Sequence, residues 1–286
     1  MIVVPGTASQ VLAHGVAEHL GAELASVTCR RFPDGELYLR IETDFRGEEC
    51  VVVQSTPPPQ DRNIFELLSL LETLKEGGAA EVTAVVPYFA YGRQDRRFME
   101  GEAVTSRVLA RHVSVHADRC VTVNLHKSTI LDYFEVDATE LDASPLLGEH
   151  LRPVVSRRSV VIAPDAGAAW MAQRVAEVLG CRHDYLEKKR LGPGEVVLKQ
   201  KELEVEEEVV LVDDIIDSGG SMVEALKALR SQGAERVHIA CVHALATGSA
   251  IARLLASGAE RVAGTDTVPS QVSVVSVAGL VAKALK

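Results

Sequence analysis

The sequence predicts an α/β protein made of two similar domains, each a mainly parallel sheet flanked by helices. Runs of strand length, rich in Val and Ile, alternate with amphipathic segments of helix length from end to end. The alternation starts again near residue 143, which places the domains at 1–143 and 144–286, both of ordinary size. In the second cycle Val209–Val212 is a continuous apolar run of the kind buried on both faces of a parallel sheet. It leads directly into Asp213, Asp214 and a Gly/Ser turn.

The first domain opens with strand Ile2–Val4 and helix Ala8–Leu20, stopped by Gly21. The turn Phe32-Pro33-Asp34-Gly35-Glu36 leads into Leu37–Ile41, so this segment reads as a hairpin. Strand Cys50–Gln54 is broken by Pro57-Pro58-Pro59, and Arg62–Lys75 is an amphipathic helix closed by Gly77-Gly78. Val82–Pro87 is a strand, Tyr88–Glu102 a charge-dense stretch without period, Val104–His116 a helix and Arg119–Leu125 a strand. His126–Tyr133 begins a turn or short helix. In the second domain, strands at Ser159–Ala163 and Cys181–Leu186 flank helix Ala166–Leu179, and Glu187–Glu195 is a basic Gly-Pro-Gly loop. After the central strand come a helix carrying Met222, Leu226 and Leu229, strand Arg236–His243, helix Ser249–Ala256, strand Arg261–Ala263 and the segment Val272–Leu285.

The hydrophobic share of 47% supports substantial cores. Acids outnumber bases by 40 to 30, a net charge of −10 that argues against non-specific binding to nucleic acid or anionic membrane. The five cysteines form no CxxC pair, and Cys50, Cys120 and Cys241 open apolar runs. They read as buried, reduced thiols of an intracellular, cytoplasmic protein. Met1 leads straight into a strand, so no secretory leader is expected, and no apolar run approaches membrane-spanning length.

The chemistry concentrates at Asp213–Ser221. Gly219 and Gly220 permit close backbone approach, the amides of the turn and of the following helix start form an anion cradle, and Ser218 and Ser221 add hydroxyl donors. An acidic pair beside an anion cradle suits a sugar phosphate: the carboxylates take hydroxyls or hydrated Mg²⁺ while the cradle takes the phosphate. The plain alternative is an ordinary βα turn with surface aspartates. His112 and His116 lie four apart on a helix with no third ligand nearby, so they read as surface histidines, and His243 reads as a packed or loop histidine.

This stretch resembles the signature of type I phosphoribosyltransferases, with Ser221 where that family commonly has Thr. Phe32–Glu36 (FPDGE), Tyr91–Arg97 (YGRQDRR), Asn124–Phe134 (NLHKSTILDYF), Ala163–Gly167 (APDAG) and Glu187–Arg190 (EKKR) extend the likeness over nearly the whole chain. In this order they resemble ribose-phosphate pyrophosphokinase, or PRPP synthetase, and the compact length and the EKKR loop resemble the archaeal-type members. The resemblance implies two phosphoribosyltransferase-like domains and transfer of the β,γ-diphosphoryl group of ATP to the 1-hydroxyl of ribose 5-phosphate. The first domain would carry the ATP site and oligomer contacts, the second the ribose 5-phosphate site and the catalytic loop. It further implies catalytic roles for Lys188 and Arg190, ATP binding by Phe32, Asp34, Glu36, Arg93 and Gln94, and ribose 5-phosphate binding by Asp213, Asp214, Asp217, Ser218, Gly219, Gly220 and Ser221. Mg²⁺ would be held near His126 and Asp165. The FPDGE turn would reach a neighbouring subunit's site in a homo-oligomer. A phosphoribosyltransferase, a non-catalytic regulatory relative and a nucleotide sensor are the competing readings. The first-domain motifs argue against the first, and the intact Lys188, Arg190, His126 and aspartate pair argue against the second.

Overall fold

The computed structural model describes residues 1–192, 195–199 and 208–286, with the side chains of 188–192 and 195–199 outside the description. They divide into two compact units, Met1–Asp142 with Thr267–Pro269 and Ser276–Lys286, and Ala143–Asp266 with Ser270–Val275.

The first unit contains β1 (Ile2–Pro5), α1 (Gln10–Leu20), β2 (Glu23–Leu24), β3 (Val27–Arg31), β4 (Leu37–Ile41), β5 (Glu49–Val53), α2 (Gln60–Glu76), β6 (Glu81–Val86), α3 (Thr105–His116), β7 (Arg119–Val123) and β8 (Asp137–Leu141). Six strands form a parallel sheet in the order β2-β1-β5-β6-β7-β8, while β3 and β4 pair antiparallel as the expected hairpin. The helix expected at Arg62–Lys75 forms as α2. Its Leu67, Leu70, Leu71 and Leu74 follow the i, i+3, i+4, i+7 spacing and are fully buried among Val52, Val82, Ala84 and Val86. Each such leucine contributes about 1.5–3 kcal/mol by leaving water.

The second unit contains α4 (Ser144–Leu151), β9 (Val160–Ala163), α5 (Ala169–Leu179), β10 (Arg182–Tyr185), β11 (Glu187–Gly192), β12 (Glu195–Lys199), β13 (Glu208–Ile216), α6 (Gly220–Ser231), β14 (Arg236–Ala244), α7 (Ala250–Ala256), β15 (Arg261–Thr265) and β16 (Ser273–Val275). Its parallel sheet runs β10-β9-β13-β14-β15-β16, with β11 and β12 as an antiparallel hairpin. The two units therefore repeat one topology: two strands, an inserted hairpin, then four more strands. In each sheet the chain order reverses between the first strand and the strand after the hairpin, at β1/β5 and at β9/β13. A parallel α/β sheet opens its ligand crevice at such a reversal, outside the carboxyl ends of the strands.

The structure corrects several expectations. The last helix, α8 (Ala278–Ala284), expected in the second domain, packs on α1 of the first unit, where Gly15 lies so close to Ala278 that an added methyl would stand 2.9 Å from its Cβ. The basic segment expected as a loop at 187–195 has a strand backbone through Gly192. The central strand does not stop at Val212 but pairs with β14 through Asp213 to Ile216. Among the described residues no helix is long and apolar enough to cross a membrane. All five cysteines are free; Cys50, Cys120 and Cys241 are buried as expected, whereas Cys29 and Cys181 are only partly so. Burial pushes the Cys50 thiol up to about 11, so it stays protonated near neutrality.

β13 carries the weight of the second core. Leu211 is fully buried at its centre, between β9 and β14. Leu211→Ala is expected to destabilise the protein by about 2–5 kcal/mol through lost burial and the cavity left behind, read as a fall in the urea midpoint.

Candidate active site

In the second unit, the carboxyl ends of β9 and β13 supply Asp165 and the segment Asp213–Ser221. Asp213 keeps some accessible surface but is closely surrounded by protein. That burial, the neighbouring Asp214 carboxylate and its hydrogen bond, and the charge of Asp165 together hold the Asp213 carboxyl well above the usual carboxylate range. The backbone amide of Asp214 donates to Asp213 Oδ1 at 3.0 Å, and the amide of Ile215 to Asp214 Oδ1 at 2.8 Å. Asp165 takes the amide of Gly167 at 2.9 Å, which caps a short 3₁₀ turn at Ala166–Ala168. The three carboxylates share one electrostatic environment without neutralising one another.

Beyond them the chain turns at Gly219, whose φ of +77° is a left-handed value that only glycine takes without strain, and enters α6. No side chain caps α6. Its first-turn amides, together with the hydroxyls of Ser218 and Ser221, thus offer the anion cradle read from the sequence. Ser221 lies inside the first turn of the helix rather than before it. Asp217 accepts the Thr247 hydroxyl at 2.9 Å.

In the first unit, the loop after β6 and the segment after β7 meet. Tyr91 takes a left-handed φ of 61° and Asn124 one of 40°, both unusual for residues with a side chain. Between Tyr91 and Arg93, Gly92 is buried so close to His126 that an added methyl would stand 3.1 Å from the histidine Cβ. This brings Arg93, Gln94 and His126 into one neighbourhood. Arg93 is exposed, and Gln94 is fixed at the start of α3, where its side-chain oxygen accepts from Thr105 Oγ1 at 2.5 Å and its carbonyl from Ser106 Oγ at 3.0 Å. Two tyrosines inside the motifs, without a role assigned from the sequence, hold this loop in place. Tyr91 donates to Asp61 Oδ1 at 2.5 Å, which holds its phenol above the ordinary value, and Tyr133 donates to the Asp95 carbonyl at 2.6 Å. The aromatic residues beside the charged run were the available signal.

The FPDGE turn closes the β3–β4 hairpin. Phe32 is 41% exposed and packs edge-on against Tyr38 at 5.9 Å, with the Arg30 guanidinium over both rings. Asp34 Oδ1 accepts the Glu36 amide at 3.1 Å, so one carboxylate oxygen orders the turn itself. Lys188 and Arg190 lie on β11, paired in register with Leu198 and Val196. Their side chains, and residues 193–194, lie outside the described residues. His112 binds the carbonyl of Val108 at 2.7 Å on an exposed helix face, and His243 is buried.

Of the two metal positions, His126 belongs to the first unit and Asp165 to the second. Among the described residues no three His, Cys, Asp or Glu side chains converge into a ready cage. The clustered carboxylates of Asp165, Asp213 and Asp214 do fit Mg²⁺, which keeps most of its waters or substrate oxygens and needs only one or two carboxylates from the protein.

Comparison with known proteins agrees with these motifs. The model of the N-terminal domain of ribose phosphate pyrophosphokinase matches residues 1–116, and that of a phosphoribosyl transferase domain matches residues 145–259. Two archaeal relatives named ribose-phosphate pyrophosphokinase align with the whole chain. That of Methanopyrus kandleri is 49% identical, covering 100% of this chain and 99% of its own, and that of Methanothermobacter thermautotrophicus is 44% identical, covering 100% of both. The crystal structure of phosphoribosylpyrophosphate synthetase from Mycobacterium smegmatis matches with a TM-score of 0.87 and 31% identity over 99% of this chain and 97% of that one. The chain belongs to the ribose-phosphate pyrophosphokinase family and is an enzyme of that type.

Proposed function

We propose that the chain transfers the β,γ-diphosphoryl group of ATP to the 1-hydroxyl of ribose 5-phosphate, giving 5-phosphoribosyl 1-diphosphate and AMP. The observation that carries this reading is the acidic pair of β13 set immediately before an uncapped helix start at the sheet's reversal point. A phosphate alone would be repelled by Asp213 and Asp214, and a bare sugar would leave the cradle unused. Ribose 5-phosphate satisfies both. Asp217, Ser218, Gly219, Gly220 and Ser221 bind its phosphate, and Asp213 and Asp214 orient the ribose hydroxyls. Asp217 does so indirectly, since its carboxylate is turned to Thr247.

ATP binding falls to the first unit. Arg93 pairs with phosphate oxygens and Gln94 is held rigidly beside it. The exposed face of Phe32 suits stacking on adenine, with Asp34 and Glu36 accepting from its amino group, and the site is completed between subunits of a homo-oligomer. Asp165 in the second unit would hold Mg²⁺, and His126 in the first is the other position proposed for it; the ion, when bound, would neutralise charge on the polyphosphate. Lys188 and Arg190 supply cations to the transferring group, whose charge must be met as the bond to the leaving AMP lengthens. The partners are ATP and ribose 5-phosphate; neither nucleic acid nor membrane is a partner, and the working place is the cytoplasm.

Phosphorus-31 NMR of the protein with ATP, ribose 5-phosphate and Mg²⁺ tests the reaction. AMP and a ribose-linked diphosphate are expected in equal amounts. ADP in place of AMP would mean transfer of a single phosphoryl group and would overturn the reading.

A further inference from the structure

Four successive residues, the end of β13 at Ile216 and the first three of the phosphate loop, Asp217 to Gly219, are gripped from behind by one short segment, residues 246–253, to which the sequence assigned no role. The Ala246 amide donates to the Ile216 carbonyl at 2.9 Å, the Thr247 amide to the Asp217 carbonyl at 3.1 Å, and the Thr247 hydroxyl to Asp217 Oδ1 at 2.9 Å. The Arg253 guanidinium, one turn along α7, donates to the Ser218 carbonyl. Gly219 packs against Ala250, where an added methyl would stand 3.4 Å from the alanine Cβ. Ala246 itself holds a left-handed φ of 48°, a strained value for a residue with a side chain.

This arrangement fixes the direction of the loop's donors. A planar trans peptide points its C=O and its N–H in opposite directions. With the carbonyls of Ile216, Asp217 and Ser218 all turned toward the 246–253 segment, the amides of Asp217, Ser218 and Gly219 face the other way, toward the cradle. We infer that Thr247 and Arg253 are positioning residues that clamp the loop from behind and aim its amides at the 5-phosphate of the substrate. The guanidinium also polarises the Ser218–Gly219 peptide, which strengthens the Gly219 N–H as a donor, since hydrogen bonds in a chain reinforce one another. Neither residue touches the phosphate. Their effect is on ribose 5-phosphate binding, with the transferring group untouched. The inference rests on the ribose 5-phosphate reading of this site.

The test is a set of full-length variants: Arg253→Met, Arg253→Lys, Thr247→Val, and Ser221→Ala within the loop's own helix. Binding of ribose 5-phosphate is followed by calorimetry, with kcat, KM and melting temperature for each. Arg253→Met is expected to weaken ribose 5-phosphate binding about tenfold, the lower end for a charge-assisted hydrogen bond because Arg253 is exposed. KM for ribose 5-phosphate should rise by a similar factor, with kcat within about twofold. Arg253→Lys, which keeps a cation in reach, recovers part of the loss, and Thr247→Val gives a smaller loss of the same kind. A merely structural role would instead lower the melting temperature and kcat along with affinity, with no recovery in the lysine variant, and that pattern would overturn the clamp. So would near-wild-type affinity in Arg253→Met and Thr247→Val alongside weakened binding in Ser221→Ala, an outcome that leaves the site reading standing. Unchanged binding in Ser221→Ala together with both clamp variants would remove the site reading as well.

Discussion

Alanine at Lys188 or Arg190 is expected to lower kcat about a thousandfold, by analogy with arginine fingers in phosphoryl transfer, while ribose 5-phosphate affinity stays within a few-fold of wild type. The split follows from where these residues sit. They lie on β11 of the inserted hairpin, whereas the groups proposed to bind ribose 5-phosphate belong to β13 and the start of α6. A cation that meets the transferring group gains most of its interaction as charge moves in the transition state, so its loss appears in kcat and hardly in substrate binding. Lys188→Arg and Arg190→Lys should each recover only part of the rate, because a planar fork and a point charge meet phosphate oxygens differently. The fold-loss in the Lys188→Ala, Arg190→Ala double variant should be much smaller than the product of the two single losses if both cations serve one group. Steady-state kinetics and calorimetric binding on the same preparations decide it. Near-normal turnover in both single variants would remove the hairpin from the chemistry.

What was legible in the sequence was what is local. Asp213–Ser221 announced itself because strand, acids and glycines are contiguous, and α2 because Leu67, Leu70, Leu71 and Leu74 repeat at the helical period. Edge elements were harder. β2 is only Glu23-Leu24, and β8, Asp137–Leu141, mixes acids with small residues, because a sheet edge has one open side and tolerates polar side chains. Glu187–Glu195 has the cations and the Gly-Pro-Gly of a loop, while the strand propensity of the β11–β12 hairpin sits downstream in Val196-Val197-Leu198. The last helix was assigned to the wrong unit because its packing on α1 joins residues far apart in the chain. The supports of both sites were invisible for the same reason: Tyr91 with Asp61, and Thr247 with Asp217, are pairs thirty residues apart. Nor could the left-handed backbone at Tyr91, Asn124 and Ala246 be foreseen, since none of them is glycine. Each borders a segment that carries site residues, where surrounding structure holds backbone strain in place.

Asp213→Asn is expected to make the ligand-free protein more stable and nearly inactive at once. The folded protein holds the Asp213 carboxyl well above the usual range, by burial first and by the Asp214 and Asp165 charges after it. In the unfolded chain it titrates near 4. Between that value and its raised folded value the native state binds more protons than the unfolded one, so stability falls as pH rises through this window and levels off above it. Asparagine removes the buried charge and keeps an oxygen to accept the Asp214 amide, which Asp213 Oδ1 accepts at 3.0 Å. In metal-free buffer, the gap in melting temperature between variant and wild type should therefore be small near pH 4 and widen toward neutral pH. Activity moves the other way. The carboxylate that costs stability is the one proposed to meet a ribose hydroxyl or a cation. Replacing a charged acceptor by a neutral one at such a contact should cost about a hundredfold in kcat/KM for ribose 5-phosphate. Adding Mg²⁺ and ribose 5-phosphate should raise the melting temperature of wild type more than that of the variant, because ligands that bind only the native state stabilise it in proportion to their affinity. A variant less stable than wild type at every pH would mean that Asp213 is held by contacts that the asparagine cannot reproduce. The placing of a strained acid pair at the sheet's reversal point for the sake of its substrate would then be wrong.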